Sequence, residues 1–310
     1  MNNYLYQVNY KCEEEDLCHL EQEALLGEVY QDKIFLSKKE IQPSISPFIK
    51  MRLKLIYVAP SFVQILNFLD QEEIKCQEFM VKYVAGSQDK SMIKKGKEMS
   101  REIGLRILGQ PSFKEPKVVF GITNYGGKWY FGEVEDNNNI WKDHQTKPYS
   151  YSSSIGINLA KALINIASRG DRSMNIIDPC CGVGTLLLEG AFAGYRISGR
   201  ELNWKVAENA RKNITHFHYD VDVTTGDIRD IRMHYDVAIV DLPYNNFTLS
   251  DDEDQWMLIK NAKRISDRLV LVSSRDIKNQ LELEGFRVDA FCKVNKKLNR
   301  DFARYVWVCY

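Results

Sequence analysis

The sequence predicts an α/β protein with an open parallel sheet in its C-terminal half and a separate α+β region before it. The C-terminal prediction rests on a short apolar run at 174–177 that ends at Asp178, followed by a glycine turn, a helical pattern and a second apolar run that ends at Glu201. A further apolar run at 235–240 ends in Asp241. A strand, a glycine turn, a helix and a strand that ends on an acid form the plan of a βαβ nucleotide site.

The glycine turn contains Gly182 and Gly184 and precedes a helix that begins at Thr185. Glycine lets the backbone turn sharply and approach a ligand closely, so a ligand can lie against the N-terminus of this helix. Glu201 follows the turn by roughly 20 residues, where an acid that binds ribose hydroxyls is expected. An ordinary βα turn is the alternative interpretation of this stretch taken alone. Because ligands bind beyond the carboxyl ends of parallel strands, we expect Asp241 at the same edge as Gly182 and Glu201.

Two motifs at this spacing resemble those of the class I S-adenosylmethionine-dependent methyltransferases. The resemblance is to the branch that methylates guanosine N2 in RNA and carries an N-terminal THUMP domain. Residues 178–189, DPCCGVGTLLLE, are similar to its cofactor signature D-P-x-C-G-[ST]-G-T-x-x-x-E, with Val183 in place of Ser or Thr. Residues 241–244, DLPY, resemble the [DN]-P-P-[YF] tetrad of enzymes that methylate exocyclic amino groups, with Leu242 in place of the first Pro.

The resemblance implies a Rossmann-like domain whose seven-stranded sheet has its last two strands reversed. It also implies S-adenosyl-L-methionine as cofactor, tRNA as substrate, and methyl transfer to the exocyclic N2 amino group of a guanosine. The implied cofactor-binding residues are Asp178, Cys180, Gly182, Gly184, Thr185, Glu201, Leu202, Asp227 and Ile228. The implied catalytic residues are Asp241, Leu242, Pro243 and Tyr244. In the mechanism that we infer, Asp241 and the Leu242 carbonyl hold the amine and the base stacks on Tyr244.

Two other functions remain open at this stage. The tetrad is shared with amino-group methyltransferases that act on other nucleic acids, such as N6-adenine enzymes on DNA or rRNA. The substitutions at Val183 and Leu242 also leave room for a catalytically silent RNA-binding protein that keeps the fold.

Length and composition predict a globular chain of two domains. The 310 residues exceed a typical single core, and we expect domains at 1–145 and 146–310. No run reaches the ~18 apolar residues of a membrane span, which predicts a cytoplasmic protein.

The formal net charge is +0, so nucleic-acid binding requires a local basic patch. Seven cysteines without paired spacing predict neither disulfides nor a zinc site, and His216, His218 and Asp220 are expected to be solvated rather than to bind a metal. The oligomeric state is left open.

The N-terminal region has an α+β pattern with one basic helix. Strands are predicted at 2–10, 33–37, 53–58, 79–84, 118–125 and 128–135, and helices at 17–26, 61–69 and 91–108. The last helix carries Lys94, Lys95, Lys97, Arg101 and Arg106. This order loosely resembles the THUMP domain, which implies RNA binding; the alternative is that these cations only keep the helix soluble.

The remaining elements follow the chain order of a methyltransferase domain. Residues 136–148 are predicted to be a polar linker, and the serine- and tyrosine-rich stretch 149–154 precedes a helix. In the family such a stretch caps the cofactor; a simple serine-rich helix cap is the alternative. Later elements are predicted as a helix at 204–214, a strand at 221–225, an acidic loop at 251–254, a helix at 255–266, a strand at 268–273 and an antiparallel pair at 286–294 and 305–310. Lys296, Lys297, Arg300 and Arg304 either touch RNA or form a solvated turn.

Overall fold

The computed structural model describes residues 3–84, 90–151, 154–242, 249–296 and 299–310. It divides into two compact units. The first comprises Met1–Asn9, Tyr30–Ser44 and Phe48–Asn138, and the second comprises Tyr10–Val29, Ile45–Pro47 and Asn139–Tyr310. Among the described residues, no helix combines the length and the apolar character that crossing a membrane requires. The cytoplasmic location stays a prediction.

Strands and helices are numbered along the chain. The strands are β1 (Tyr4–Val8), β2 (Ile34–Ser37), β3 (Ile49–Ala59), β4 (Phe79–Tyr83), β5 (Val118–Tyr125), β6 (Lys128–Asp136), β7 (Asn175–Asp178), β8 (Arg196–Glu201), β9 (Val223–Thr225), β10 (Tyr235–Asp241), β11 (Ser266–Ser273), β12 (Val288–Lys296) and β13 (Asn299–Cys309). The helices are α1 (Glu15–Leu26), α2 (Phe62–Glu72), α3 (Lys90–Gly104), α4 (Ile157–Ser168), α5 (Thr185–Phe192), α6 (Trp204–His216), α7 (Leu249–Ile265) and α8 (Lys278–Leu283).

The first unit is an α+β structure, as the alternating pattern predicts. Its six-stranded sheet has the order β2-β1-β3-β6-β5-β4, in which only β4 and β5 are parallel neighbours. Helices α2 and α3 contribute to an aromatic core that contains Phe79, Phe120 and Phe131. The assignment of this unit as THUMP-like remains a prediction from the sequence.

The second unit contains the predicted seven-stranded sheet, with the order β12-β13-β11-β10-β7-β8-β9. Strands β11, β10, β7, β8 and β9 are parallel to their neighbours, whereas β13 pairs antiparallel with both β11 and β12. The last two strands are therefore reversed in their order within the sheet. In direction, only β13 runs against the other strands, because it pairs antiparallel with both β11 and β12.

The centre of this sheet is covered on both faces, which explains its continuous apolar strands. Residues Val237, Ala238, Ile239 and Val240 of β10 are all fully buried. Ala238 and Val240 share a cluster with Ile259 of α7. Because neighbouring strand residues point to opposite faces, Val237 and Ile239 face the other side. This rigid centre fixes the strand ends where the acids of the predicted site lie.

Three local features differ from the predictions. The acidic stretch 251–254 lies within α7, not in a loop, because acids are favourable in the first turn of a helix. The predicted linker contains a 3₁₀ helix, Ile140–Thr146, with buried Trp141 and His144. Helix α8 was not predicted, because it is too short to produce a periodic pattern. The compact units also differ from the predicted domains 1–145 and 146–310, because α1 packs against α4 and β12 of the second unit.

Candidate functional site

The acids at three neighbouring strand ends meet in one cleft of the second unit. Asp178 ends β7, Glu201 ends β8 and Asp241 ends β10, and these strands are parallel neighbours in the sheet. The cleft has a volume of about 340 Å³. It is lined by Tyr151, Ser154, Ile155, Asp178, Cys180, Cys181, Gly182, Val183, Thr185, Leu186, Glu201, Asp241, Leu242 and Leu258. The expectation that these loops share one edge of the sheet thus agrees with the structure.

The glycine turn adopts a backbone conformation that favours glycine at two positions. Gly182 has φ +54° and Gly184 has φ +82°, both in the left-handed region that residues with a Cβ rarely adopt. The Gly184 N–H donates to the Cys181 carbonyl at 2.8 Å, and the Cys181 N–H donates to the Arg200 carbonyl at 3.0 Å. These bonds fix the turn to the end of β8. A Cβ added at Gly182 would meet no atom within 4 Å, so this side of the turn is open.

The Glu201 carboxylate closes the turn from the next strand. One oxygen, Oε2, accepts a hydrogen bond from the Gly182 N–H at 3.0 Å, and the other, Oε1, accepts one from the Asn203 N–H at 2.9 Å. Hydrogen bonds to a charged acceptor are stronger than neutral ones. The carboxylate is therefore held at the rim of the cleft by main-chain donors on both sides.

Asp178 is the buried acid of the site. Its side chain is 3% exposed, and burial raises its pKa well above the ordinary value. The nearby carboxylates of Asp241 and Glu201 raise the pKa further, while a hydrogen bond from the Cys180 N–H at 3.2 Å opposes the shift. Burial likewise raises the pKa of the Cys180 thiol, so this cysteine stays a neutral, unreactive thiol that lines the cleft. The cleft thus brings three carboxyl groups together, and a cationic ligand would stabilise their ionised forms.

One polar group in the cleft has no partner within the described part of the chain. The hydroxyl oxygen of Thr185 is buried and makes no hydrogen bond. Thr185 is the first residue of α5, where main-chain N–H groups also lack partners within the helix. Buried polar groups are normally satisfied, so this position is suited to a ligand.

Not every predicted residue lies in this cleft. Leu202 follows Glu201 and is 69% exposed, and the Ile228 side chain is buried in the apolar core beneath α7. Gly184 caps α5 behind the lining residues. The Asp227 carboxylate accepts hydrogen bonds from the Arg229 N–H at 2.8 Å and from its guanidinium at 2.7 Å, and this guanidinium lowers the pKa of Asp227. Pro243 and Tyr244 lie outside the described residues. The roles of these residues remain predictions.

The cleft also contains residues that the motifs did not indicate. Leu258 reaches it from α7, where its apolar character looks like ordinary core packing. Behind the site, buried Glu189 binds Nδ1 of His144 at 2.7 Å and the ammonium of Lys161 at 3.3 Å. Of these three residues, the motifs indicated only Glu189, which is the last residue of the cofactor signature and lies within the otherwise apolar helix TLLLEGAF.

The comparisons with known proteins agree with this geometry. Residues 144–277 match the model of a family described as an RMKL-like methyltransferase domain. A tRNA (guanine(10)-N2)-dimethyltransferase of Methanothermobacter thermautotrophicus is 34% identical over 103 residues, which cover 32% of this chain and 30% of the relative. An enzyme of the same name from Methanocaldococcus jannaschii is 20% identical over 61% of this chain and 58% of its own. The chain thus spans about a third of the first relative and somewhat over half of the second.

A solved structure extends the likeness of fold along the chain. TrmN from Thermus thermophilus aligns over 99% of this chain and 98% of its own, with a TM-score of 0.50 and 16% identity. At this identity the alignment establishes the fold alone. The sheet order, the acidic cleft and the family match lead to the same conclusion, which confirms the methyltransferase fold predicted from the motifs. The second unit therefore has the α/β fold of a class I methyltransferase domain, and residues 144–277 within it resemble the RMKL-like methyltransferase domain family.

Proposed function

We propose that the protein transfers a methyl group from S-adenosyl-L-methionine to the exocyclic N2 amino group of a guanosine in tRNA. The observation that carries this proposal is the convergence of Asp178, Glu201 and Asp241 on the glycine turn in a single cleft. The substrate assignment is supported by the names of the relatives, which are tRNA (guanine(10)-N2)-dimethyltransferases.

The residues of the cleft fit a cofactor of this chemistry. S-adenosylmethionine carries an ammonium, a sulfonium and a ribose diol, and the cleft offers the acids Asp178 and Glu201 to these groups. The buried Thr185 hydroxyl supplies a further polar contact, and the open side of Gly182 leaves room for close approach. Asp178, Gly182, Thr185 and Glu201 would hold the cofactor. When bound, S-adenosylmethionine supplies an electrophilic methyl group.

The chain's own contribution to the reaction is to position the amine and to accept its proton. The Leu242 N–H donates to the Val272 carbonyl at 3.0 Å, and the Leu242 side chain is buried, so the main chain is fixed where β10 ends. In the proposed mechanism, the Asp241 carboxylate and the Leu242 carbonyl each accept a hydrogen bond from one N–H group of the guanine amine. Asp241 then receives the proton. Positioning of this kind can supply on the order of 7 to 11 kcal/mol.

The first unit is proposed to bind the RNA through α3. Lys94, Lys95, Lys97 and Arg101 on this helix are exposed, which suits contact with phosphates. Lys97 and Arg101 also border a groove of about 740 Å³ that is otherwise largely apolar and includes Phe113. Basic side chains beside an aromatic surface are typical of single-stranded RNA sites.

Isothermal titration with S-adenosylmethionine, followed by transfer of labelled methyl groups to bulk tRNA and to DNA, tests this function. We expect binding and incorporation into tRNA. Incorporation into DNA alone would assign the domain to another substrate class. Binding without transfer to either nucleic acid would indicate a silent member of the fold.

A further inference from the structure

One asparagine behind the cleft is fully buried and fully engaged. Asn213 lies on α6 and is 0% exposed. Asparagine is usually exposed, and its burial is costly unless the amide is hydrogen-bonded. The Asn213 side-chain Oδ1 accepts a hydrogen bond from the Tyr149 N–H at 3.0 Å, and its Nδ2 donates to the Tyr149 carbonyl at 2.9 Å. The amide is therefore both an acceptor from and a donor to the main chain of Tyr149, which lies in another segment.

The same amide group reaches the glycine turn. Nδ2 of Asn213 also donates to the Val183 carbonyl at 2.9 Å, and Val183 lies between the two glycines of the turn. One turn earlier on α6, Nδ2 of Asn209 donates to the Tyr151 hydroxyl at 3.0 Å. Val183 and Tyr151 both line the cleft. Two asparagines four residues apart on one helix thus hold two walls of the cleft.

We propose that Asn213 is a positioning residue that sets the distance between residues 149–151 and the glycine turn, and thereby the affinity of the cleft for its ligand. The proposal takes the identity of the ligand from the proposed function. A purely structural role is a weaker explanation, because all three bonds of the amide go to segments outside α6 and both segments reach the cleft. An apolar residue would fill the same space without joining them.

Titration with S-adenosylhomocysteine tests the proposal in the intact protein. In Asn213→Ala, three neutral hydrogen bonds are lost, and we expect the Kd to rise by about tenfold or more. The matched control is Asn137→Ala in the first unit, where Nδ2 of Asn137 joins the Pro43 and Ile49 carbonyls at 2.9 Å each. The control loses similar bonds and some thermal stability, and its Kd is expected to stay at the wild-type value.

Asn209→Ala provides a second variant, which keeps the buried amide of Asn213 and is therefore expected to fold. It loses one exposed hydrogen bond, so we expect the Kd to rise by about two- to fivefold. In turnover, both α6 variants should raise the KM for the cofactor more than they lower kcat. Wild-type Kd values in both α6 variants, measured well below the unfolding temperature, would overturn the proposal.

Hydrogen exchange separates this proposal from the identity of the ligand. Without Asn213, the amides of 149–151 and of 182–184 should exchange faster than in the wild type, whereas amides of β10 should not change. Unchanged exchange at 149–151 would overturn the positioning role by itself. If the wild-type protein fails to bind S-adenosylhomocysteine but the exchange result holds, the ligand assignment fails and the positioning role stands.

Discussion

Replacement of Glu201 by glutamine tests the cofactor site with almost no change of shape. The carboxylate accepts hydrogen bonds from the Gly182 and Asn203 N–H groups, at 3.0 and 2.9 Å. An amide accepts only one of these bonds and presents its NH₂ group to the other donor. Loss of one bond to a charged acceptor is worth about 1.5–3 kcal/mol, so we expect the free energy of unfolding to fall by about this amount.

The same substitution should weaken cofactor binding. If ribose hydroxyls bind this carboxylate, a comparable loss in the complex raises the Kd by about 10- to 100-fold. Isothermal titration with S-adenosylhomocysteine and urea denaturation measure the two effects separately. The control is Glu208→Gln, which removes only solvated contacts to Arg211 at 3.7 Å and Lys212 at 3.8 Å and should change neither quantity. A destabilised Glu201→Gln protein with the wild-type Kd would show that the Glu201 carboxylate does not bind the cofactor.

Three further predictions concern catalysis, pH and RNA. Asp241→Ala should lower kcat by about 10²- to 10⁴-fold in methyl-transfer assays and leave the titrated cofactor Kd nearly unchanged; loss of both would assign Asp241 to the fold or the cofactor. Burial raises the pKa of Glu21 to about 7, so the folded chain binds a proton at Glu21 more tightly than the unfolded chain does. The stability that this proton provides is lost as the pH rises through 7. Glu21→Gln can keep the bonds to Ser46 and Asn165, and in urea denaturation it should gain up to about 3 kcal/mol over the wild type at pH 8 and little at pH 4.5; equal gains at both values would contradict this. Lys97→Glu should raise the KM for tRNA and reduce its salt dependence without changing cofactor binding, and an unchanged KM would exclude α3 from the RNA site.

The sequence predicted the parts of the site that depend on local pattern. The run that ends at Asp178, the turn at Gly182 and the acid at Glu201 belong to one βαβ unit, so their spacing along the chain fixes their placement at the strand ends. Asp241 could be added because parallel strands end at a common edge. The order of β13 and β12 followed from the resemblance rather than from any local pattern.

Contacts between distant segments were beyond prediction from the sequence. Leu258 looks like a core residue of α7, and only the packing of that helix brings it to the cleft. His144 lies in a polar stretch, yet it is buried because Glu189 supplies a partner from α5. The placement of α1 in the second unit likewise depends on packing against α4, which periodicity along the chain does not reveal.

The cleft bordered by Asp178, Glu201 and Asp241 is proposed to methylate the N2 amino group of guanosine in tRNA. Mass spectrometry of the nucleosides of unmodified tRNA, incubated with the protein and S-adenosylmethionine, tests it most directly. We expect N2-methylated guanosine, formed about 10²- to 10⁴-fold more slowly by the Asp241→Ala protein. Methylation of adenosine instead, or guanosine methylation by the Asp241→Ala protein at the wild-type rate, would show that the proposal is wrong.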